Sequence, residues 1–513
     1  MNLLRAAATV SAWTLLSRAA GLVRELVVAR AFGAGVEMDA FNVAFRLPNL
    51  LRRMFAEGAF SQAFVPILAE VKARDAESEM RTLLAHVASM LFWTLLAVSI
   101  LGVLGAPLLV YLIASGFAGS PTAFDLATVM TRWMFPYILF MSLVAFAASV
   151  LNTYNRYAVP AATPVLLNVS IIGFALLGAD RFDPPIVALA VAVIVGGALQ
   201  LGIQIPALAR IGKLPRMTAV REAFADAGVR RILRLMLPAI FAVSVAQISL
   251  IINTNIASHL GTGTVSWLAY ADRLMEFPTA LLGVALGTVL LPNLSRANAD
   301  GRAGAYSALL DWGLRLTCLI ALPAALGLGL LAEGIIAVLF QGGRFTVVDV
   351  TQTAGALTGY AFGLFGLIAV KILAPGFYAQ QDIKTPVKIA VGVLVATQLA
   401  NLVLVPQFGF AGLALSVSLG ACANAALLYA GLRRRGIYQP QAGWTGFALR
   451  LALALAAMAV LLWWGARQFE WTLLPAMQRA MALGTVIAAG TSLYFGLLWM
   501  FGFRPRDFVL RMS

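Results

Sequence analysis

The sequence predicts an all-α polytopic membrane protein with fourteen transmembrane helices, built as two six-helix bundles followed by two C-terminal helices. Three observations carry this. Charged residues make up 12% of the 513-residue chain and hydrophobic residues 61%, whereas soluble domains carry roughly 25% charge. Apolar runs of the length a hydrocarbon core requires, about 20 residues, recur from end to end and leave no room for a large soluble domain. These runs are longer and less interrupted than the ~10-residue alternating segments of a membrane β-barrel. In lipid, a helix satisfies its own backbone polar groups. The third observation is the placement of basic charge.

The spans are expected at 11–31, 38–69, 83–114, 126–152, 158–179, 185–209, 231–258, 265–292, 311–340, 352–378, 385–406, 410–432, 446–466 and 479–502. The first is read as a retained helix rather than a signal peptide, because Arg18 interrupts its apolar run and no clean cleavage site follows. Several spans exceed what a bilayer needs and are expected to tilt or to extend beyond it. With the N-terminus on the cytoplasmic side, 23 of the 37 Lys and Arg fall in loops and margins on that side and 4 on the other. This bias supports fourteen spans with both ends inside. The same one-sided distribution argues that the net charge of +15 does not mark a nucleic-acid binder. Cys318 and Cys422 both lie in apolar spans and form no disulfide or metal framework.

An internal repeat divides the chain. Ala44-Phe45-Arg46-Leu47 on span 2 matches Ala271-Asp272-Arg273-Leu274 on span 8, and Thr163-Pro164 matches Thr385-Pro386. Six spans separate the copies, so the halves share one orientation. The expected organisation is an N-lobe at 1–210, a cytoplasmic linker at 211–229, a C-lobe at 230–435 and a terminal helix pair at 436–513. Transporters often place their substrate site between such halves.

Ionisable residues inside spans are costly, at least about 2.5–3.5 kcal/mol each, and tend to mark function. Here they concentrate on spans 1, 2 and 8: Arg18, Arg24, Glu25 and Arg30; Asp39, Arg46, Arg52, Arg53 and Glu57; Asp272, Arg273 and Glu276. Asp39, Arg46 and Arg53 share a stripe by their spacing of seven. Arg46, Arg53 and Glu57 fit structural ion pairs as well as a substrate site, and Arg273 is flanked by acids. Arg18 and Arg24 have fewer carboxylates near them and leave surplus positive charge. Arg30, Arg132, Lys371 and Arg450 lie near span ends, where snorkelling is expected. His86 and His259 are read as loop or interface residues, and Gly283-x-x-x-Gly287 as a close-packing pattern. A guanidinium stays charged and binds phosphate through a planar fork, so an Arg-rich cavity suits an amphiphile with an anionic phosphate head.

Three runs then carry a family resemblance: Asp39-Ala-Phe with the stretch Arg46 to Pro66 (RLPNLLRRMFAEGAFSQAFVP), Tyr270 to Pro278 (YADRLMEFP), and Leu373 to Pro386 (LAPGFYAQQDIKTP). The chain strongly resembles the MurJ/MviN family of lipid II flippases over essentially its whole length. That resemblance implies the multidrug/oligosaccharidyl-lipid/polysaccharide (MOP) exporter fold. Its functional arginines correspond to Arg18, Arg24, Arg52 and Arg273, with Glu25 beside the second. Further cavity residues correspond to Asp39, Asn49, Glu57 and Glu276. The terminal helix pair corresponds to a hydrophobic groove for the polyprenyl tail. The implied partner is lipid II, an undecaprenyl-pyrophosphate-linked disaccharide-pentapeptide, together with membrane lipids and the cell-wall synthesis machinery. No organic cofactor is expected. The energy source is left open between a coupling ion, Na+ or H+, and the membrane potential. Some relatives bind sodium, for which Thr397, Gln398 and Asn401 on span 11 are the candidates here. They lack a carboxylate, and their spacing equally suits helix-to-helix hydrogen bonding.

Two rivals remain at this level. A related flippase of another polyprenyl-linked oligosaccharide would share the arginine-rich cavity. A membrane-embedded glycosyltransferase would need acids or metal ligands in sizeable outer loops, and the outer loops here are short.

Overall fold

The computed structural model describes residues 3–52, 60–74 and 77–504. Among these residues secondary structure is helical apart from one isolated β-bridge, Gly342 to Phe345. The chain groups into two compact units, Met1–Ser266 and Trp267–Ser513.

The first unit holds α1 (Leu3–Phe32), α2 (Val36–Leu51), α3 (Phe60–Ala73), α4 (Glu77–Leu104), α5 (Ala106–Ile113), α6 (Pro121–Met134), α7 (Tyr137–Thr153), α8 (Ala158–Gly173), α9 (Val187–Arg210), α10 (Val220–Ala225) and α11 (Ala227–Ser258). Phe60, Phe64 and Phe146 stack in series, with centroids 5.0 and 5.4 Å apart, at the centre of its core. The expected span 4 contains α7 and most of α6, with the join at Phe135-Pro136. Proline lacks the N–H that would continue the ladder, so it opens the second helix instead.

Helix α11 packs with this unit along α3, α4 and α5, whereas the repeat had assigned it to the C-lobe. The cause is local. Gly116 donates its N–H to Ser258 Oγ at 3.0 Å, and a Cβ on Gly116 would lie 2.3 Å from the Ser258 carbonyl oxygen. Only glycine allows that approach. Ser115 adds hydrogen bonds to Asn255 and His259.

The second unit holds most of α12 (Thr264–Ala299), then α13 (Ala303–Leu330), α14 (Ala332–Phe340), α15 (Val347–Ala361), α16 (Leu364–Leu373), α17 (Pro375–Tyr378), α18 (Lys384–Phe408), α19 (Phe410–Arg434), α20 (Trp444–Arg467) and α21 (Ala476–Met500). Leu290, Leu310, Ile372, Phe377, Leu428 and Tyr438 form its core. Helices α15 and α16 lie backbone-close to α19, because Cβ atoms at Gly363 and Gly366 would sit 2.5 Å from Ser418 Cα and 2.6 Å from Cys422 N.

Ten helical stretches among the described residues are long and apolar enough to cross a membrane. They fall on the expected spans 3–6 and 9–14. Spans 1, 2, 7 and 8 fall on α1, α2 with α3, α11 and α12. These are two repeat-related pairs, and three of the four carry the in-span charges. Elsewhere large apolar side chains face outward: Leu104, Leu177, Leu402 and Met500 are each more than 70% exposed. A water-facing surface does not carry such extended apolar cover, so the solvent of these faces is lipid.

Candidate functional site

Helix α1 would be an ordinary apolar span without its charges. Arg18 is half-buried and makes no hydrogen bond or ion pair with the described residues. Arg24 lies about 9 Å further along the axis. Its Nη2 pairs with the Glu25 carboxylate, and its Nη1 donates to Asn168 Oδ1 at 3.0 Å. Asn168 on α8 is buried and donates its own amide N–H to the Ser17 carbonyl at 3.2 Å, which fixes its orientation. Arg24 and Glu25 cancel as a pair, and the second partner of Arg24 is a neutral amide. Of these two arginines, Arg18 is the one whose charge no described carboxylate offsets. Asn168 was not singled out from the sequence. The available signal was a lone carboxamide in an otherwise apolar span, a type of group that finds partners across helices.

On α2, Arg52 donates through Nε and Nη2 to Asn49 Oδ1, at 3.1 and 2.9 Å, across one helical turn. Arg46 is half-buried on the same helix. Arg53 and Glu57 lie outside the described residues. Asp39, expected at the substrate, is occupied differently. It is 2% exposed and accepts from the Gly263 N–H at 2.6 Å, the Ser266 N–H at 2.8 Å and the Ser266 hydroxyl at 2.6 Å. Asn42 adds a bond to the same hydroxyl at 3.1 Å. The carboxylate caps the first turn of α12, where unpaired N–H groups and the helix dipole favour an anion.

In the second unit, Arg273 Nη1 lies 3.3 Å from Glu276 Oε2, with both side chains more than a third exposed. The pair is loose and open. The Lys371 stem, expected to snorkel, instead crosses Gly283 of α12, where a Cβ would lie 2.4 Å from its Cδ. That gives the Gly283 and Gly287 pattern its use in close packing. Among the sodium candidates, Asn401 donates to Gln398 Oε1 at 3.0 Å and accepts from the Ser416 hydroxyl, while Thr397 packs against Gly420. These bonds tie α18 to α19. No group of three His, Cys, Asp or Glu side chains arranged for a metal occurs among the described residues.

The terminal pair presents an apolar groove lined by Ala456, Val460, Leu461, Trp464 and Leu493. Both ends of the pair are anchored within the unit. Trp444 donates to Asp311 at 2.6 Å, and Arg479, buried on α21, donates to Gln341. Chemically, the molecule offers guanidinium groups at three places inside apolar helices and an apolar groove on its terminal pair. A guanidinium binds phosphate through its planar fork, and an apolar groove suits hydrocarbon.

Comparison with known proteins agrees with this chemistry. A family model described as lipid II flippase MurJ matches residues 28–480. A lipid II flippase MurJ of Burkholderia cenocepacia is 54% identical over 507 residues, covering 98% of each chain. A solved structure of lipid II flippase MurJ in an inward closed conformation superimposes with a TM-score of 0.78 at 24% identity, over 96% of this chain and 99% of that one. An inward-facing multidrug resistance MATE family transporter of the MOP superfamily gives a TM-score of 0.68 at 13% identity, over 82% and 94%. The fold is that of the MOP exporters.

Proposed function

The chain belongs to the MurJ family of lipid II flippases, and from that premise we propose that it carries lipid II from the cytoplasmic to the periplasmic leaflet of a bacterial inner membrane by alternating access. The observation that carries the reading is the relative at 54% identity, which spans 98% of both chains. It is a transporter and not an enzyme: its polar groups bind and release, and no bond of the lipid is broken.

Arg18, Arg24 and Arg52 in the first unit and Arg273 in the second are the groups we assign to the pyrophosphate. Glu25 and Asn168 position Arg24, and Asn49 positions Arg52. Glu276 holds Arg273 until the anion displaces it, an exchange favoured because a diphosphate offers the guanidinium more charge than a carboxylate. Asp39 acts indirectly by capping α12. Glu57 is kept among the assigned site residues on the resemblance alone. The groove on α20 and α21 receives the polyprenyl tail. The chain crosses the membrane fourteen times with both termini inside. A potential negative inside favours outward movement of the anionic head by about 2.3 kcal/mol per charge per 100 mV.

The test is translocation of lipid II in vesicles containing the purified protein, with and without an imposed potential. Lipid II should reach the outer face in a protein-dependent way, faster with the potential. Rescue of cells depleted of their lipid II flippase is the companion assay. Failure in both, alongside transport of another polyprenyl-linked oligosaccharide, would transfer the protein to that substrate.

A further inference from the structure

The segment joining α9 to α10 and α11 has no part in the transport chemistry, yet it is held in one pose. Lys213 is 6% exposed, bonds the Glu77 carboxylate and lies over the Tyr154 ring. Thr218 donates its N–H to Ser89 Oγ at 2.8 Å and accepts from Trp93 Nε1 at 3.3 Å. Ala223 is buried, and Asp226 pairs with His86 at 3.0 Å. All of these inward contacts made by Thr218 and Asp226 run to α4. With its inner face committed, the segment turns Leu214, Met217, Val220 and Phe224 outward, at 49, 52, 45 and 38% exposed, with the Met217 sulfur also accepting from Ser89 Oγ at 4.0 Å.

The depth of the contact is set by α4. After His86 that helix carries no charged residue from Val87 to Leu104, a rise of about 27 Å, close to one hydrocarbon thickness. Ser89 and Trp93 stand at the first turns of this run, and Trp93 is itself 38% exposed, as an interfacial aromatic is. The four outward apolar side chains are therefore carried at the boundary between headgroups and acyl chains. Between them stand Arg216 and Arg221, both exposed, against two acids in 213–226, the exposed Glu222 and Asp226, which is taken up by His86. Apolar groups reaching inward and arginines at headgroup level are the composition of an interfacial segment that prefers anionic lipid.

We propose that residues 213–226 form a membrane-surface strap that seats Leu214, Met217, Val220 and Phe224 in the lipid boundary and gathers anionic phospholipid headgroups with Arg216 and Arg221. The strap depends on the placement of α4 in the membrane and not on what the protein transports.

The full-length protein, with Cys318 and Cys422 replaced by serine and Met217→Cys carrying an environment-sensitive fluorophore, is placed in nanodiscs of phosphatidylcholine with or without phosphatidylglycerol. The fluorophore should be quenched by lipids bearing a spin label near the headgroup and shielded from aqueous iodide. Quenching by iodide alone would overturn the strap, and so would protection from both quenchers, which would mean that protein covers the site. In a second arm, the unlabelled protein and its Arg216→Gln/Arg221→Gln variant are compared by native mass spectrometry for retention of phosphatidylglycerol over phosphatidylcholine. The preference should fall about tenfold with an unchanged melting temperature. An unchanged preference, or displacement of the lipid by inorganic phosphate, would overturn the headgroup assignment. Neither arm touches a residue assigned to the pyrophosphate, so failure here leaves the flippase reading standing.

Discussion

After α9 the chain turns through Gly212 at φ +66°, and after α19 it turns through Gly436 at φ +70°. Each turn has a similar clamp beside it, with the cation just after Gly212 in the first and just before Gly436 in the second. Lys213 lies 5.2 Å over Tyr154, and Arg435 lies 5.3 Å over Phe377. The Thr218 N–H donates to Ser89 Oγ at 2.8 Å, and the Gln439 N–H donates to Ser307 Oγ at 2.8 Å. The clamps then diverge. The second closes on Asp311, 1% exposed, which accepts from Arg315 at 2.8 Å, Tyr438 at 2.7 Å and Trp444 at 2.6 Å, with Arg315 stacked over Trp444 and Phe447. The first closes on the partly exposed pair His86 and Asp226. One repeated device is thus a buried buttress for the terminal helices in one unit and a surface strap in the other. The repeat conserves geometry, and the polarity of the closing residue sets how firmly each copy holds.

The sharpest way to break this contrast is to remove the closing acids. Asp311→Ala removes a buried carboxylate and leaves Arg315, Tyr438 and Trp444 without their shared acceptor, and should cost about 3–5 kcal/mol, read as a large fall in melting temperature in detergent. Asp226→Ala removes a helix cap and should cost about 1 kcal/mol. Equal losses would mean that the two clamps do not differ as described.

The contrast extends to the arginines. Arg24 is backed by buried Asn168, whereas Arg273 faces an exposed Glu276. At wild-type abundance in the membrane, Arg24→Ala should lower lipid II translocation about 100-fold, the loss of a charged hydrogen bond worth ~3 kcal/mol. Arg273→Ala should lower it about tenfold. A larger effect at Arg273 would reverse the ranking. Asn168→Ala should fall between wild type and Arg24→Ala, since it misplaces the guanidinium without deleting it.

Ser89→Ala and Ser307→Ala test the shared part of the clamp. Each removes one acceptor and should cost about 1 kcal/mol, and a difference larger than that between them would dissolve the equivalence.

Acid separates the clamps more gently. Burial raises the Asp226 carboxyl, but its bonds from His86 and the Val229 N–H outweigh burial and leave it below its usual value. Asp382, beside the second clamp, is held well below the carboxylate range by the Thr385 hydroxyl, the Thr385 N–H and then Arg435. A depressed carboxyl contributes stability above its unfolded pKa and loses it as pH falls through its folded one. Hydrogen exchange should therefore rise in 213–226 at a less acid pH than in 380–390. Lys213 has the opposite sign: burial works against its charge, but Glu77 and Tyr154 hold its pKa above the ordinary value. Its contribution is present below the unfolded pKa and is lost as pH rises through the folded one. Simultaneous loosening of both segments on acidification would count against the ranking of the two acids.

Much of the proposed site is legible in the sequence because charge inside a lipid-facing helix is too costly to be incidental. Arg18 and Arg24 stand out on α1, whereas Arg273 on α12, flanked by acids, fits an ion pair as well as a substrate role. Asn168 was not legible, since a carboxamide in an apolar run looks the same whether it ties two helices together or orients an arginine. Asp39 was visible as an in-span acid, but its role depended on which backbone N–H groups the fold would bring to it. The clamps were invisible because Ser89 and Ser307 differ from any other helical serine only in what arrives opposite them.

Composition, apolar periodicity and the sidedness of Lys and Arg by themselves determined a helical membrane protein, because the cost of exposing backbone or charge to lipid is paid residue by residue. Which unit α11 joins, what Asp39 caps, how Lys371 crosses Gly283 and how the two linkers close were decided only by tertiary structure. Those outcomes rest on contacts between residues distant in the chain, and such contacts exist only once the helices have packed.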